Sequence, residues 1–320
     1  MRVVVTGAAG FIGSNLVDAL VGADHDVVGL DNLSTGRLEF LEQALQHERF
    51  EFRKLDLVDD TDALTSSLER ADAVIHLAAN ADVRFGWDAP RRDLEQNVVA
   101  TQNVLEAMRA CEVRRILFSS TGSIYGDSAC VPTPEDVSFP LQTSLYGASK
   151  VAAEGYVTAY AEAGHVSATV FRFVSILGPR YTHGHVIDFV RHLRRDPELL
   201  PVLGDGSQRK SYLDVSDCVA AITSRLAVEP RVEVFNLGVD GFCTVNQSIR
   251  WITEKLGVSP RLTFSGGDRG WVGDNPFIYL DTTRIRATGW TTRYTIREAV
   301  ERTVDFLVAH PELLDPRPGS

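Results

Sequence analysis

The stretch TGAAGFIG, residues 6–13, follows the apolar run RVVV and leads into IGSNLVDALVG, a segment of helical period. Gly7, Gly10 and Gly13 thus stand where a buried strand must become a helix within a few residues. Glycines there let the backbone turn tightly and approach a pyrophosphate, which the free N–H groups and partial positive charge of a helix N-terminus favour. The spacing is G-x-x-G-x-x-G rather than G-x-G-x-x-G, so its meaning rests on the strand–turn–helix setting. That setting makes the N-terminus the first unit of a parallel α/β sheet.

The alternation continues. RVVVTG, DVVGLD, FEFRKLD, AVIHLA, RRILFSS and SATVFRF read as strands, nearly continuous in apolar residues as strands covered on both faces are. Between them TDALTSSLERA, LEQNVVATQNVLEAMRACE and ASKVAAEGYVTAYAEAG have helical patterns. This predicts an α/β fold, a Rossmann-type doubly wound parallel sheet, over residues 1–177. From Gly178 the segments shorten and mix. Residues 178–320 read mainly as a smaller C-terminal α/β substrate-binding lobe, with returns to the sheet near 211–238 and PRPGS as a loose tail.

Composition narrows the function classes. Hydrophobic residues make up 44% and charged residues 23%, as in a soluble globular protein. A net charge of −11 argues against a nucleic-acid binder. No apolar run is long enough to span a bilayer, and the N-terminus lacks a signal-peptide layout. Cys111, Cys130, Cys218 and Cys243 are scattered without a C-x-x-C pair, so no zinc site or disulfide framework is expected. His183 and His185 form an H-x-H pair without further ligands, read as part of a surface loop; no metal site is expected. A cytoplasmic location fits these features.

Two carboxylates end strands. Asp31 in VVGLDN is placed to accept both hydroxyls of an adenosine ribose and to repel a 2′-phosphate, which favours NAD over NADP; its alternative is a turn cap. Asp56 in KLDLVD is placed to meet the adenine edge, or serves as a strand-end turn residue. SLYGASK, residues 144–150, puts Tyr146 and Lys150 one turn apart on one helical face. A free phenol titrates near about 10, too high for an efficient base near neutrality. The Lys150 ammonium would favour the phenolate, and Gly147 and Ala148 beside the phenol are small.

TGAAGFIG, DNLSTG, HLAAN, SSTGSIYG, YGASK, GPR, GDGSQRKSY and FNLG, in this order over residues 1 to about 307, resemble the extended short-chain dehydrogenase/reductase superfamily. Within it the chain is most similar to the nucleotide-sugar 4-epimerases of the UDP-glucose/UDP-galactose type. The resemblance implies tightly bound NAD, contacted by Gly7, Gly10, Phe11, Ile12, Gly13, Asp31, Asn32, Asp56, Leu57, Leu77, Ala78, Ala79, Asn97, Tyr146 and Lys150. It implies Tyr146 as the proton shuttle, Lys150 on the nicotinamide ribose and Thr121 on the reacting hydroxyl. Hydride would leave C4, the 4-keto sugar would turn, and hydride would return to its other face.

Related 4,6-dehydratases carry an Asp-Glu pair after the catalytic Thr; here Gly122 and Ser123 follow, which argues against dehydration. GDP-fucose-type 3,5-epimerase/reductases need an additional Cys and His, neither of which can be placed. The implied substrate contacts are Thr121, Gly122, Ser123, Tyr146, Ser175, Arg180, Arg209, Lys210, Arg269 and Asp274. Three departures bear on the carrier. Ser175 replaces a usual Asn, as in UDP-glucuronate 4-epimerases; Lys210 stands where an Arg is usual; Trp271 stands where many relatives have an Arg, with Arg269 as its substitute. Ile278 falls where the family gates the sugar pocket and should disfavour N-acetylated sugars.

Several residues keep two readings. Asn97 touches cofactor-loop backbone or caps a helix; Tyr125 lines the sugar pocket or packs in the core; Arg180 holds an anion or pairs with an acidic neighbour. His76 reads as a satisfied strand histidine. The apolar faces of NVVATQNVLEAMRA and AAEGYVTAYAEA are plain core, or form the homodimer's four-helix interface that the resemblance suggests. The favoured function is UDP-glucose/UDP-galactose 4-epimerase. UDP-glucuronate 4-epimerase, an epimerase of a glycosyl nucleoside or other sugar, and a non-catalytic NAD-sensing protein stand as alternatives.

Overall fold

The structure is a computed structural model that describes residues 1–81, 86–138, 141–270, 275 and 277–315. The first half alternates as its sequence predicts: β1 (Arg2–Thr6), α1 (Phe11–Gly22), β2 (Asp26–Asp31), β3 (Phe50–Lys54), α2 (Thr61–Ser67), β4 (Ala73–His76), α3 (Pro90–Asp93), α4 (Ala100–Ala110), β5 (Arg115–Thr121), α5 (Leu145–Glu162) and β6 (Ser167–Phe173). A six-residue π-helix, Leu94–Val99, joins α3 to α4. Then come β7 (Ser175–Leu177), α6 (His185–Arg195), β8 (Leu199–Val202), β9 (Arg209–Lys210), β10 (Tyr212–Asp214), α7 (Val215–Ser224) and β11 (Val232–Leu237). The last third holds β12 (Cys243–Thr244), α8 (Val245–Leu256), β13 (Arg261–Phe264), β14 (Phe277–Ile278), α9 (Thr283–Arg286) and α10 (Ile296–Ala309).

Seven parallel strands form the central sheet in the order β11-β6-β5-β4-β1-β2-β3. The chain moves outward from β1 through β2 to β3, then crosses to β4 on the other side. The reversal opens a crevice between the C-terminal ends of β1 and β4, the place where such sheets take ligands. β4 is buried throughout, and β5 and β6 nearly so, which explains their unbroken apolar sequences. Side chains alternate between the faces. Val3 and Val5 pack with Leu16, Val17 and Leu20 of α1; Val4 packs with Leu105 and Met108 of α4 and Val157 of α5. The apolar faces of α4 and α5 are thereby consumed inside the chain, so the plain-core reading holds for them. Tyr156, 45% exposed, lies on the outward face of α5.

Arg209–Lys210 and Tyr212–Asp214 build small sheets outside the central one, β9 with β12 and β14, and β10 with β7. The parallel pairing Tyr212↔Ser175 hangs this lobe directly on the end of the main sheet. α8 begins at a Thr244–Gln247 capping box and ends at left-handed Gly257, both readable in TVNQSIRWITEKLG.

At the crevice, two glycines are required by close contact. Gly7 has φ +69°, and a Cβ on it would lie 2.8 Å from the Ala78 amide nitrogen. A Cβ on Gly13 would lie 2.0 Å from the Gly7 carbonyl oxygen. Beneath them His76 is buried and fully bonded, as its sequence reading expects. Thr101 donates to the Asn97 carbonyl, so its hydroxyl accepts from the His76 Nε2–H at 3.0 Å, and the Thr6 hydroxyl donates to Nδ1 at 2.6 Å. Thr6 in turn accepts from the Ala78 amide at 3.2 Å. Burial, with the Lys150 charge nearby, pushes the imidazole down to about 3.

Two outcomes follow. Gly13→Ala should cost roughly 3 kcal/mol because the obstructing atom is backbone, whereas Gly22→Ala, with open space around its Cβ, should be neutral or stabilising; urea midpoints read both. An unfolded His76 protonates near 6.5 and the folded one only near 3. The unfolded state thus binds the extra proton between these values, so stability is lost as pH is lowered through that window. At pH 5 the loss is roughly 2 kcal/mol relative to pH 7. His76→Gln should flatten the stability slope between pH 7 and 5 by that amount.

Candidate active site

The Gly7–Gly13 turn opens α1 with Gly10 as N-cap; no side chain caps the first turn and no acidic residue occupies it. Among the described residues no side chain claims those N–H groups, as a dinucleotide pyrophosphate needs. Asp31 borders the turn, accepting from the Ala9 amide at 3.0 Å and the Leu33 amide at 2.8 Å. A Cβ on Gly36 would lie 2.6 Å from its carboxylate, so the DNLSTG loop closes tightly around Asp31. Asn32 donates to Asp56 at 2.7 Å, and Asp56 accepts from the Val58 amide at 2.8 Å. The two strand-end carboxylates are thus bonded within one partly buried rim, where the ribose and adenine contacts were expected. Leu57 lies buried beside Asp56; Leu77, Ala78 and Ala79 form the facing partly buried wall after β4. These features fit NAD: a cradle with no room for a side chain and an acid at the ribose position.

Asn97 lies inside the π-helix, and so does not cap a helix start. Its Oδ1 accepts from the Asn80 amide at 2.7 Å, and its Nδ2 donates to Ser149 at 2.8 Å. It therefore ties the loop after β4 to the helix bearing Tyr146 and Lys150. Asn80 also donates to buried Asp93 at 2.8 Å.

α5 starts where SLYGASK predicts. Ser144 is its N-cap, accepting from the Gly147 amide at 3.0 Å. The smallness of Gly147 serves packing rather than ligand room: a Cβ there would meet Gln142 at 2.8 Å and the Ser123 carbonyl at 3.2 Å. Thr121 ends β5 and accepts from the Ser123 amide at 3.1 Å. The Thr121 hydroxyl lies close enough to Tyr146 to lower the phenol's pKa. Burial outweighs it and, with the Asp93 charge, pushes Tyr146 up to about 12. Lys150 Nζ donates to the Ser119 carbonyl at 2.9 Å and sits 5.0 Å from the Phe118 ring centroid. Burial pushes the ammonium down to about 8, with Glu154 opposing.

The carrier-side residues separate. Ser175 is exposed on β7, two residues beyond Phe173, which pairs with Thr121. Gly122 is buried, with Ile278 3.4 Å from where its Cβ would be, so Ile278 abuts the turn after Thr121. Lys210 donates to the Asn275 carbonyl. Arg209 stacks on Phe277 at 3.8 Å to the ring centroid, and Arg269 bonds Asp127 at 2.8 Å. Arg180 takes the ion-pair reading, 2.7 Å from Asp18 on α1. Tyr125 takes the core reading, donating to Asn236 at 2.8 Å and accepting from Arg172 at 2.6 Å. Trp271 and Asp274 lie outside the described residues. His185 is not in a surface loop. It opens α6, stacks on Tyr212 at 4.9 Å and bonds Ser248 at 2.8 Å. Asn80, Asp93 and the Glu154–Arg172 pair went unread because isolated polar residues in apolar or loop segments carry no spacing signal.

Residues 3–238 match the sequence model of the NAD dependent epimerase/dehydratase family. A UDP-glucose 4-epimerase of Mycolicibacterium smegmatis is 34% identical, covering 96% of this chain and 98% of its own. A solved UDP-galactose 4-epimerase is 37% identical with a TM-score of 0.85, covering 97% of this chain and 99% of its own. MoeE5, solved with UDP-glucuronic acid and NAD, is 30% identical with a TM-score of 0.84, covering 97% of this chain and all of its own (100%). With the strand order, glycine cradle and Thr–Tyr–Lys arrangement, these similarities establish that the chain belongs to the NAD-dependent epimerase/dehydratase family, as an enzyme of the extended short-chain dehydrogenase/reductase type.

Proposed function

We propose that the protein inverts C4 of a UDP-hexose, interconverting UDP-glucose and UDP-galactose. The observation that carries this reading is the placement of Thr121, at the end of β5, near Tyr146, in the first turn of α5, at the C-terminal edge of the sheet, beside the cradle and without a carboxyl at Gly122 or Ser123. Bound NAD would accept hydride from C4 and return it to the opposite face. Thr121 orients the C4 hydroxyl. Tyr146 takes its proton as the 4-keto sugar forms and gives it back on reduction. Burial holds the phenol protonated, so a positive charge arriving beside it is needed to favour the phenolate. Lys150, fixed on Ser119, is placed to hold ribose hydroxyls.

Beyond the sugar, exposed Ser175 leads along β7 and β10 toward Lys210 and Arg209, the candidate diphosphate contacts. The C-terminal lobe, residues 178–320 apart from the returning β11, would hold the carrier. Ile278 against Gly122 supports rejection of N-acetylated sugars. A second reading, UDP-glucuronate 4-epimerase, is favoured by Ser175 and by the MoeE5 likeness. We also expect a homodimer through the outward faces of α4 and α5.

Tyr146→Phe should keep NAD and lose roughly 10³-fold in kcat; near-normal turnover would refute the assignment. Incubation of the enzyme with UDP-glucose, UDP-glucuronate and UDP-N-acetylglucosamine, with product configuration read by NMR, should show turnover of the first. Fast turnover of the glucuronate alone would select the second reading.

A further inference from the structure

Lys150 and Glu154 are one turn apart on α5, a spacing at which a lysine and a glutamate ordinarily pair. Here they do not bond. The Lys150 ammonium donates to the Ser119 carbonyl at 2.9 Å. The Glu154 carboxylate turns away, accepting from the Ser120 hydroxyl at 2.8 Å, from Arg172 Nε at 3.2 Å and from Arg172 Nη2. Glu154 and Arg172 are each 4% exposed. Arg172 Nη1 is bound in turn by the Tyr125 hydroxyl at 2.6 Å and the Glu135 carbonyl at 2.8 Å, so the guanidinium cannot follow a moving carboxylate. Adjacent serines of β5 thus hold the two charges apart, one by its carbonyl and the other by its hydroxyl.

We propose that the Glu154–Arg172 pair is a positioning device for Lys150: the fork of Arg172 keeps the carboxylate from capturing the ammonium, while the carboxylate's charge keeps the ammonium protonated in its buried seat. This rests on the reading that Lys150 serves the reaction. A buried ion pair is weak evidence of stabilisation by itself. The arrangement instead allows Glu154 to act on Lys150 through space without occupying the N–H groups a ribose would use. The charged and titratable groups facing Lys150 are Glu154 on its own helix, neutral His76 on β4, and Arg172 on β6 behind Glu154. β5 presents Phe118, Ser119 and Ser120, none of which titrates. Lys150 is held down to about 8, so its ammonium is lost as pH rises through that value, and the alkaline limb of the kcat profile reports it.

The test compares pH–kcat profiles of wild type, Glu154→Gln, Arg172→Met, the double variant and Lys150→Met, with melting temperature and bound NAD measured on each. Glu154→Gln removes the supporting charge and leaves the Arg172 cation, so the alkaline limb should move down by about one unit. Arg172→Met frees the carboxylate to pair with Lys150, so the limb should move up by a similar amount while kcat falls roughly tenfold or more. Opposite shifts show that both charges act on Lys150, and a fall of kcat in Arg172→Met with KM and bound NAD unchanged shows that its seat is lost as well; unshifted limbs, shifts in one direction, or a shifted limb with wild-type kcat in Arg172→Met would overturn the proposal. If the single variants do not fold, the double variant, free of both buried charges, decides. Recovered melting with kcat still depressed and KM unchanged supports positioning, and wild-type kcat and limb position refute it. Full activity in Lys150→Met would show instead that the catalytic reading of Lys150 is at fault.

Discussion

The contact between the ends of β1 and β4 governs everything built above it. The backbone of Gly7 lies so close to Ala78 that a Cβ would stand 2.8 Å from its amide nitrogen, and that amide bonds the Thr6 hydroxyl. Thr6 bonds His76, His76 bonds Thr101, and Thr101 bonds the carbonyl of Asn97. One buried chain therefore runs from the glycine turn through two strands into the π-helix. Asn97 carries it on to Ser149, next to Lys150. The glycine cradle and the helix that bears Tyr146 and Lys150 are held in register by the same polar network. Its every member is satisfied, the condition under which a buried polar network specifies one arrangement rather than weakening the core.

The charges around the reaction centre show the cost and use of burial. Tyr146 is raised to about 12 and Lys150 lowered to about 8, both chiefly by removal from water. Each shift disfavours the charged form that chemistry requires, so the site is set against ionisation until further charge enters it. Glu154 offsets part of the penalty on Lys150, and Asp93 adds to that on Tyr146. The lysine is anchored to the Ser119 carbonyl of β5.

The strands of the first half were legible because burial on both faces leaves unbroken apolar runs, and their helices because one face must stay apolar. The places of Tyr146, Lys150, Asp31 and Gly7 at a strand end or helix start were legible because their spacing is local, whereas a role for Thr121 came only from the family resemblance. Arg180 and Tyr125 were open in the sequence, and partners distant along the chain, Asp18 and Asn236, closed the question. His185 looked like loop because its supports, Tyr212 and Ser248, come from segments 27 and 63 residues further on. The small sheets of the C-terminal lobe pair strands of two to four residues, too short for any periodicity to show.

Sequence by itself determined the alternating sheet, the glycine turn and the one-turn spacing of phenol and ammonium, since each follows from contacts within a few residues. Only the tertiary structure decided where the charges point: Lys150 to Ser119, Glu154 to Arg172 and Asn97 to Asn80 and Ser149. These pairings join residues brought together by strand order alone, and a buried ionisable group takes its orientation and charge state from whatever the fold packs against it.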